Sequence, residues 1–192
     1  MNPFVPALAL VAALFALSAP AAADPVRYLL EAERSRVSFT YRLEGVPGTG
    51  TMPVDSADLR LDFDTAANST ARVVLSAEGA RTGLGLITQA LKSGDVLDTA
   101  THPRITFQSR RFEARPGGAR VTGDVTIRGV TRPLTLEADI FRQEGTAAGD
   151  RSRLTVVLTG HVDRTAFGAS GYAALVAPRV DLDITVRLTR AP

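Results

Sequence analysis

His102 and His161 are the only imidazoles in this chain, and it has no cysteine. A thiol nucleophile and a disulfide framework are therefore excluded. His161, Asp163 and Arg164 are of the types that build an acid–base set. In an extended chain, however, alternation puts His161 and Asp163 on one face and Arg164 on the other. His102 precedes Pro103 at a strand entry, which suits a turn or edge hydrogen bond better than a general base. A serine nucleophile needs a strained turn with an oxyanion site, and no Gly-x-Ser-x-Gly run occurs. Zinc normally takes at least three N, S or O ligands, so two separated histidines without cysteine are poor material. These residues predict no catalytic and no metal-ligating side chain. An enzyme reading would need a polar cleft holding His161 or His102.

What would have to position any site is a repeated alternation of period two. Val121, Gly123, Val125 and Ile127 share one face, and Thr122, Asp124, Thr126 and Arg128 the other. After the connection Arg128-Gly129-Val130-Thr131-Arg132-Pro133, the residues Leu134, Leu136, Ala138 and Ile140 alternate with Thr135, Glu137 and Asp139. The pair reads as a β-hairpin in which Gly129 takes a positive φ and Pro133 stands at a strand entry. The pattern recurs at Val37–Glu44, Leu59–Asp64, from Val73 and Ile105, at Leu154–Leu158 and at Val180–Leu188. Short strands with one wet face predict an all-β fold, a single antiparallel closed barrel of about eight strands. Only Thr82 to Gly94 resists: Leu84, Ile87 and Leu91 fall at helical spacing, with Thr82 as start and Gly94 as stop, so one short helix is placed near one end. Gly45–Pro53 and Gln143–Ser152 read as loops. Asp163-Arg164 is expected to form a solvated or partly buried pair at the rim, with Gly168 serving a bend.

Residues 1–23 stand apart. Val5 to Ala19 are apolar apart from Ser18, and Ala21-Ala22-Ala23 offers the small residues a signal peptidase cleaves after. Pro3, Pro6 and Pro20 and the short apolar run favour a cleaved signal over an anchor. The reading is a signal peptide over 1–23, cleavage near Ala23, and a periplasmic or secreted domain over 24–192. That length forms one ordinary domain able to bury a core without staples. The 22 basic and 20 acidic residues interleave, leaving a net charge of +2, which argues against a nucleic-acid groove.

Thr101-His102-Pro103-Arg104-Ile105-Thr106-Phe107-Gln108-Ser109, Gly123-Asp124-Val125-Thr126-Ile127-Arg128-Gly129-Val130-Thr131-Arg132-Pro133-Leu134 and Asp163-Arg164-Thr165-Ala166-Phe167-Gly168 follow one another in order. Val37-Ser38-Phe39 and Asp62-Phe63-Asp64 lie upstream, and Val180-Asp181-Leu182 downstream. In motifs and order the chain resembles the YceI-like family over essentially all of residues 24–192. The resemblance implies an exported, lipocalin-like barrel whose lumen encloses a polyisoprenoid, such as an isoprenoid-quinone tail or a polyprenyl lipid, for carriage, storage or protection. It implies no catalytic cofactor and no enzyme activity. The partner would be a hydrophobic small-molecule lipid, with transient membrane contact and no nucleic acid. The chain departs from the family at Ile87-Thr88-Gln89-Ala90-Leu91-Lys92-Ser93, where an acid and a histidine are usual, and at Tyr28, where tryptophan is frequent.

An alternating barrel puts its Val, Leu, Ile and Phe inside. Alternation alone favours a solid core, because interiors are close-packed; the resemblance favours a lumen. The ligand-binding residues expected of that lumen are Phe39, Tyr41, Phe63, Leu84, Ile87, Leu91, Ile105, Phe107, Leu136, Ile140 and Phe167. The alternative is a non-catalytic structural or interaction barrel with a filled core and an exposed edge strand.

Overall fold

The computed structural model describes residues 24–192, so the signal peptide read at 1–23 lies outside the described residues. The chain forms β1 (Val26–Leu30), β2 (Arg36–Leu43), β3 (Val46–Met52), β4 (Val54–Leu61), β5 (Thr70–Ser76), β6 (Arg81–Thr82), α1 (Gly85–Lys92), β7 (Arg104–Arg115), β8 (Gly118–Ile127), β9 (Val130–Arg142), β10 (Arg153–Asp163) and β11 (Arg179–Arg190). Every pairing is antiparallel, and neighbours run β1-β4-β5-β7-β8-β9-β10-β11 before β11 returns to β1. This is a closed eight-strand barrel. β2, β3 and β6 extend it at one end, β2 continuing β1 along β11 and β3 continuing β4 beyond Pro53.

The alternation seen in the sequence sets which side faces in. Val125 and Val121 on β8, Leu134, Leu136 and Ala138 on β9, and Leu154 and Val156 on β10 are buried. The turn between β8 and β9 has Arg128 at φ 51° and Gly129 at φ 73°, the double positive φ that matches the twist of a two-residue hairpin. Glu44 (φ 50°) and Gly45 (φ 82°) repeat it between β2 and β3.

Residues 45–53, expected as a loop, are mostly strand β3. The glycines that suggested a loop are there for packing. An added Cβ on Gly50 would lie 2.2 Å from Phe39 Cζ, and one on Gly48 2.4 Å from Tyr41 Cζ. Phe39 and Tyr41 stand directly across from these glycines, so each ring lies over its bare neighbour. Phe107 likewise covers Gly123, where a Cβ would come within 2.6 Å of its ring. Glycine in a strand thus marks a close approach.

The helix is shorter than its spacing suggested. It begins at Gly85, and Thr82 belongs to β6; the N-cap is Leu84, with no side-chain capping bond. Thr82 still holds the helix start, since its hydroxyl donates to the Leu84 carbonyl at 2.9 Å and its backbone N–H to Thr88 Oγ1 at 3.0 Å.

Two buried clusters divide the interior. One, around Val37, Phe39, Met52, Ile105, Leu136 and Phe167, lies toward the helix end. The other, around Tyr28, Val121, Ala138, Leu154, Val156 and Leu188, narrows the opposite end.

Candidate functional site

Between the clusters the barrel is hollow. A cavity of about 870 Å³ runs along it, walled by the inward residues of every long strand and by α1. That volume lies toward the upper end of small-molecule sites, roughly 300–1,000 Å³. The rings lying over glycines explain part of the room, because Phe39, Tyr41 and Phe107 stay along the wall instead of projecting across it.

Of the side chains expected at the lumen, Phe39, Tyr41, Phe63, Ile105 and Phe107 line it from β2, the end of β4, and β7. Leu136 and Ile140 line it from β9, Ile87 and Leu91 from α1, and Phe167 from the β10–β11 connection. Leu84 does not. As the N-cap it has extended backbone angles (φ −125°, ψ 129°), which break the helical phase shared by Ile87 and Leu91, and its side chain is 64% exposed. Sequence reasoning missed Leu86, Tyr172, Leu175 and Val176, which line the cavity at the helix end. No periodic pattern marks them.

Loops at this end are held by arginines bonded to backbone carbonyls. Arg164 is buried, and its Nε donates to the Ala177 carbonyl at 3.1 Å. Its terminal nitrogens reach the carbonyls of Gly171 (2.8 Å), Val176 (2.7 Å) and Ala169. The expected Asp163–Arg164 pair does not form. Asp163 accepts from the Thr165 N–H (2.8 Å) and hydroxyl (2.6 Å), capping the turn Arg164–Phe167, and these bonds hold its pKa below the usual carboxylate value. Burial lowers the pKa of Arg164, yet a guanidinium stays charged at any ordinary pH. Arg128 bridges from the β8–β9 turn to the carbonyls of Gly94 (2.5 Å) and Val96 (3.0 Å) behind the helix.

The far end is narrowed by packed side chains, beside which Phe63, Ile140, Arg151 and Leu154 line a separate cavity of about 310 Å³. Tyr28 is 2% exposed and donates its hydroxyl to the Arg151 carbonyl at 2.7 Å. Its ring meets Phe63 edge-on at 6.2 Å, and the Arg151 guanidinium lies 4.7 Å from the Phe63 ring centroid. Beside them Asp62 accepts from the backbone N–H of Thr65 (2.7 Å), Asn68 Nδ2 (2.9 Å) and the N–H of Asp64 (2.9 Å), tying down the β4–β5 loop. The Thr65 bond first, then that from Asn68, pulls its pKa below the usual carboxylate range.

Neither histidine lines the cavity among the described residues. His161 stands opposite Asp181 on β11, and the His102 ring lies against Gly129, where an added Cβ would come within 3.0 Å of Cε1. Among the described residues no group of three His, Asp or Glu comes together to hold a metal. The chemistry available in the cavity is enclosure: an apolar wall with few polar groups, Arg164 being the one buried cation in it.

A closed antiparallel barrel around such a cavity is the architecture of a barrel binding protein. The chain belongs to the YceI-like family: the YceI-like domain matches residues 28–188. It is 27% identical over 140 residues to a UPF0312 protein of Pseudomonas aeruginosa, covering 71% of this chain and 72% of that one. To the protein YceI of Escherichia coli O157:H7 it is 27% identical over 133 residues, 68% of each chain. Among solved structures, Burkholderia cenocepacia BcnA superposes with a TM-score of 0.73 at 20% identity, covering 83% of this chain and 99% of that one. The Campylobacter jejuni YceI protein gives a TM-score of 0.59 at 22% identity, over 74% and 84%. At these identities the structures share the fold.

Proposed function

We propose that this protein encloses a long isoprenoid chain, a quinone tail or a polyprenyl lipid, and carries, stores or protects it without turnover. The observation that carries this reading is the 870 Å³ apolar cavity running along the barrel. A filled-core module would not have one. Each methylene-sized group moved from water into such a wall is worth roughly 0.8 kcal/mol. A handful of isoprene units therefore outweighs the several kcal/mol lost in immobilising them. Affinity resides in the tail, and the apolar helix face of Ile87 and Leu91 adds no headgroup charge to it. The apolar stretch of residues 5–19 and the Ala21-Ala22-Ala23 site support export, cleavage near Ala23 and a periplasmic or secreted location.

The test is mass spectrometry of an organic extract of the protein purified from its native periplasm, with uptake of added polyprenyl alcohols measured alongside. A co-purifying isoprenoid, or saturable uptake, is the expected result. No extracted lipid together with no uptake overturns the reading.

A further inference from the structure

At the helix end of the barrel the cavity wall runs without interruption into an exposed apolar rim. Of the seven large apolar side chains exposed among the described residues, five belong to it: Val46, Leu84, Leu86, Tyr172 and Leu175. Leu86, Tyr172 and Leu175 are part of the cavity wall. Val46 stands across from Leu43, another wall residue, beside Glu44, whose N–H bonds the Leu175 carbonyl at 2.8 Å. Leu84 directly precedes the helix that carries Leu86. The other two, Leu29 and Phe141, lie next to inward residues Leu30 and Ile140 and so stand on the outer wall.

Local structure would be better served by other residues at two of these positions. Leu84 is an N-cap without a capping bond, where Asp, Ser, Thr or Asn would stabilise the helix start. Tyr172 is held at φ 58°, a conformation costly for a bulky residue. Apolar bulk thus stands at the rim against the interest of the local fold. Arg42, Arg81, Lys92 and Arg128 of the loops at this end form no salt bridge among the described residues. With Glu44, Asp95, Asp98 and Asp163 in the same loops, they leave the rim without a dominant charge.

We infer that this rim docks on a lipid bilayer, so that the cavity opens directly into the acyl region. The inference rests on the proposed function in one respect: a long apolar chain resides in a membrane, and apposition of the mouth spares it a passage through water. Leucines and a tyrosine at headgroup depth, flanked by long basic side chains, are the chemistry of an interfacial contact.

The test compares three proteins in flotation with vesicles of phosphatidylethanolamine and phosphatidylglycerol: the wild type, the double variant Val46→Glu with Leu84→Asp, and Phe141→Glu. Neither Val46 nor Leu84 lines the cavity, and aspartate at the N-cap favours the helix, so the double variant keeps its fold. The wild type and Phe141→Glu are expected to float with the vesicles, and the double variant to lose about ten-fold or more in partitioning. The rate at which a fluorescent prenyl chain leaves the wild-type protein should rise with vesicle concentration, as a collisional transfer does. Failure of the wild type to float, equal flotation of all three proteins, or a transfer rate indifferent to vesicle concentration overturns the docking surface. Calorimetric titration with farnesol, without vesicles, reads the cavity alone. Flotation without farnesol binding would sink the lipid-carrier reading and leave the docking surface standing.

Discussion

The two ends of this barrel are ordered by different physics. At the far end Tyr28, Phe63 and the residues around Leu154 and Leu188 narrow the space, and one hydroxyl bond to Arg151 satisfies the buried phenol. At the helix end Arg164 and Arg128 hold loops by bonding carbonyls around the guanidinium perimeter, and the middle is left empty. Apolar packing orders a segment by occupying volume. A planar fork of five donors orders backbone without occupying the volume beside it. A barrel that must keep a mouth while fixing the loops around it gains from the second device, and one that must stop a lumen gains from the first.

The contrast can be broken from either side. Tyr28→Ala should cost the most, about 3–5 kcal/mol by denaturant titration, and should lengthen the lumen so that longer prenyl chains are retained. Tyr28→Phe, losing only the bond to Arg151, should cost about 1 kcal/mol. Arg164→Gln should cost about 2–4 kcal/mol, but with a local signature: amides of residues 169–177 exchange faster while those around Tyr28 keep their protection. Uniform loss of protection would mean the two ends are one cooperative unit. Gly50→Ala should cost about 1–3 kcal/mol and turn the Phe39 ring into the lumen, reducing the chain length bound in a competition series.

The smallest effect is in acid. The folded-state pKa values of Asp62 at the far end and Asp163 at the mouth are both depressed. Each therefore contributes stability present above the unfolded value, about 3.9, and lost as pH falls through the folded one. Melting temperature should drop below about pH 4, and Asp62→Asn or Asp163→Asn should flatten that drop.

The strands and their inward faces were legible because period two reports burial directly, as Val121 to Ile140 illustrate. β3 was not, since the meaning of Gly48 and Gly50 depends on Tyr41 and Phe39 across the ladder, a relation composition does not carry. Ten of the eleven expected lumen residues stand on the cavity wall, those on strands through the same alternation and Ile87 and Leu91 through helical spacing, whereas Leu84 was misplaced because the helix begins only at Gly85. The rim at Tyr172 and Leu175 belongs to an irregular connection, and the role of Arg164 depends on carbonyls up to thirteen residues away. The Arg128-Gly129 turn and the Asp163-to-Gly168 run that carry the family likeness fasten loops at the helix end, and the second also sets Arg164 and Phe167 in the cavity wall.

The way the sheet closes also has a kinetic meaning. Wall strands follow one another in the chain until β11 must find β1, a contact that Thr189 and Glu31 seal across 158 residues. Closing so large a loop costs roughly 3–4 kcal/mol more chain entropy than closing a hairpin. The hairpins can form as local events, while this one joint awaits the last strand of the chain. The topology thus predicts a late closure in which β11 joins β1 and β2, and until it is made these strands stand as open edges, the interval in which the chain is most exposed to pairing with a neighbour.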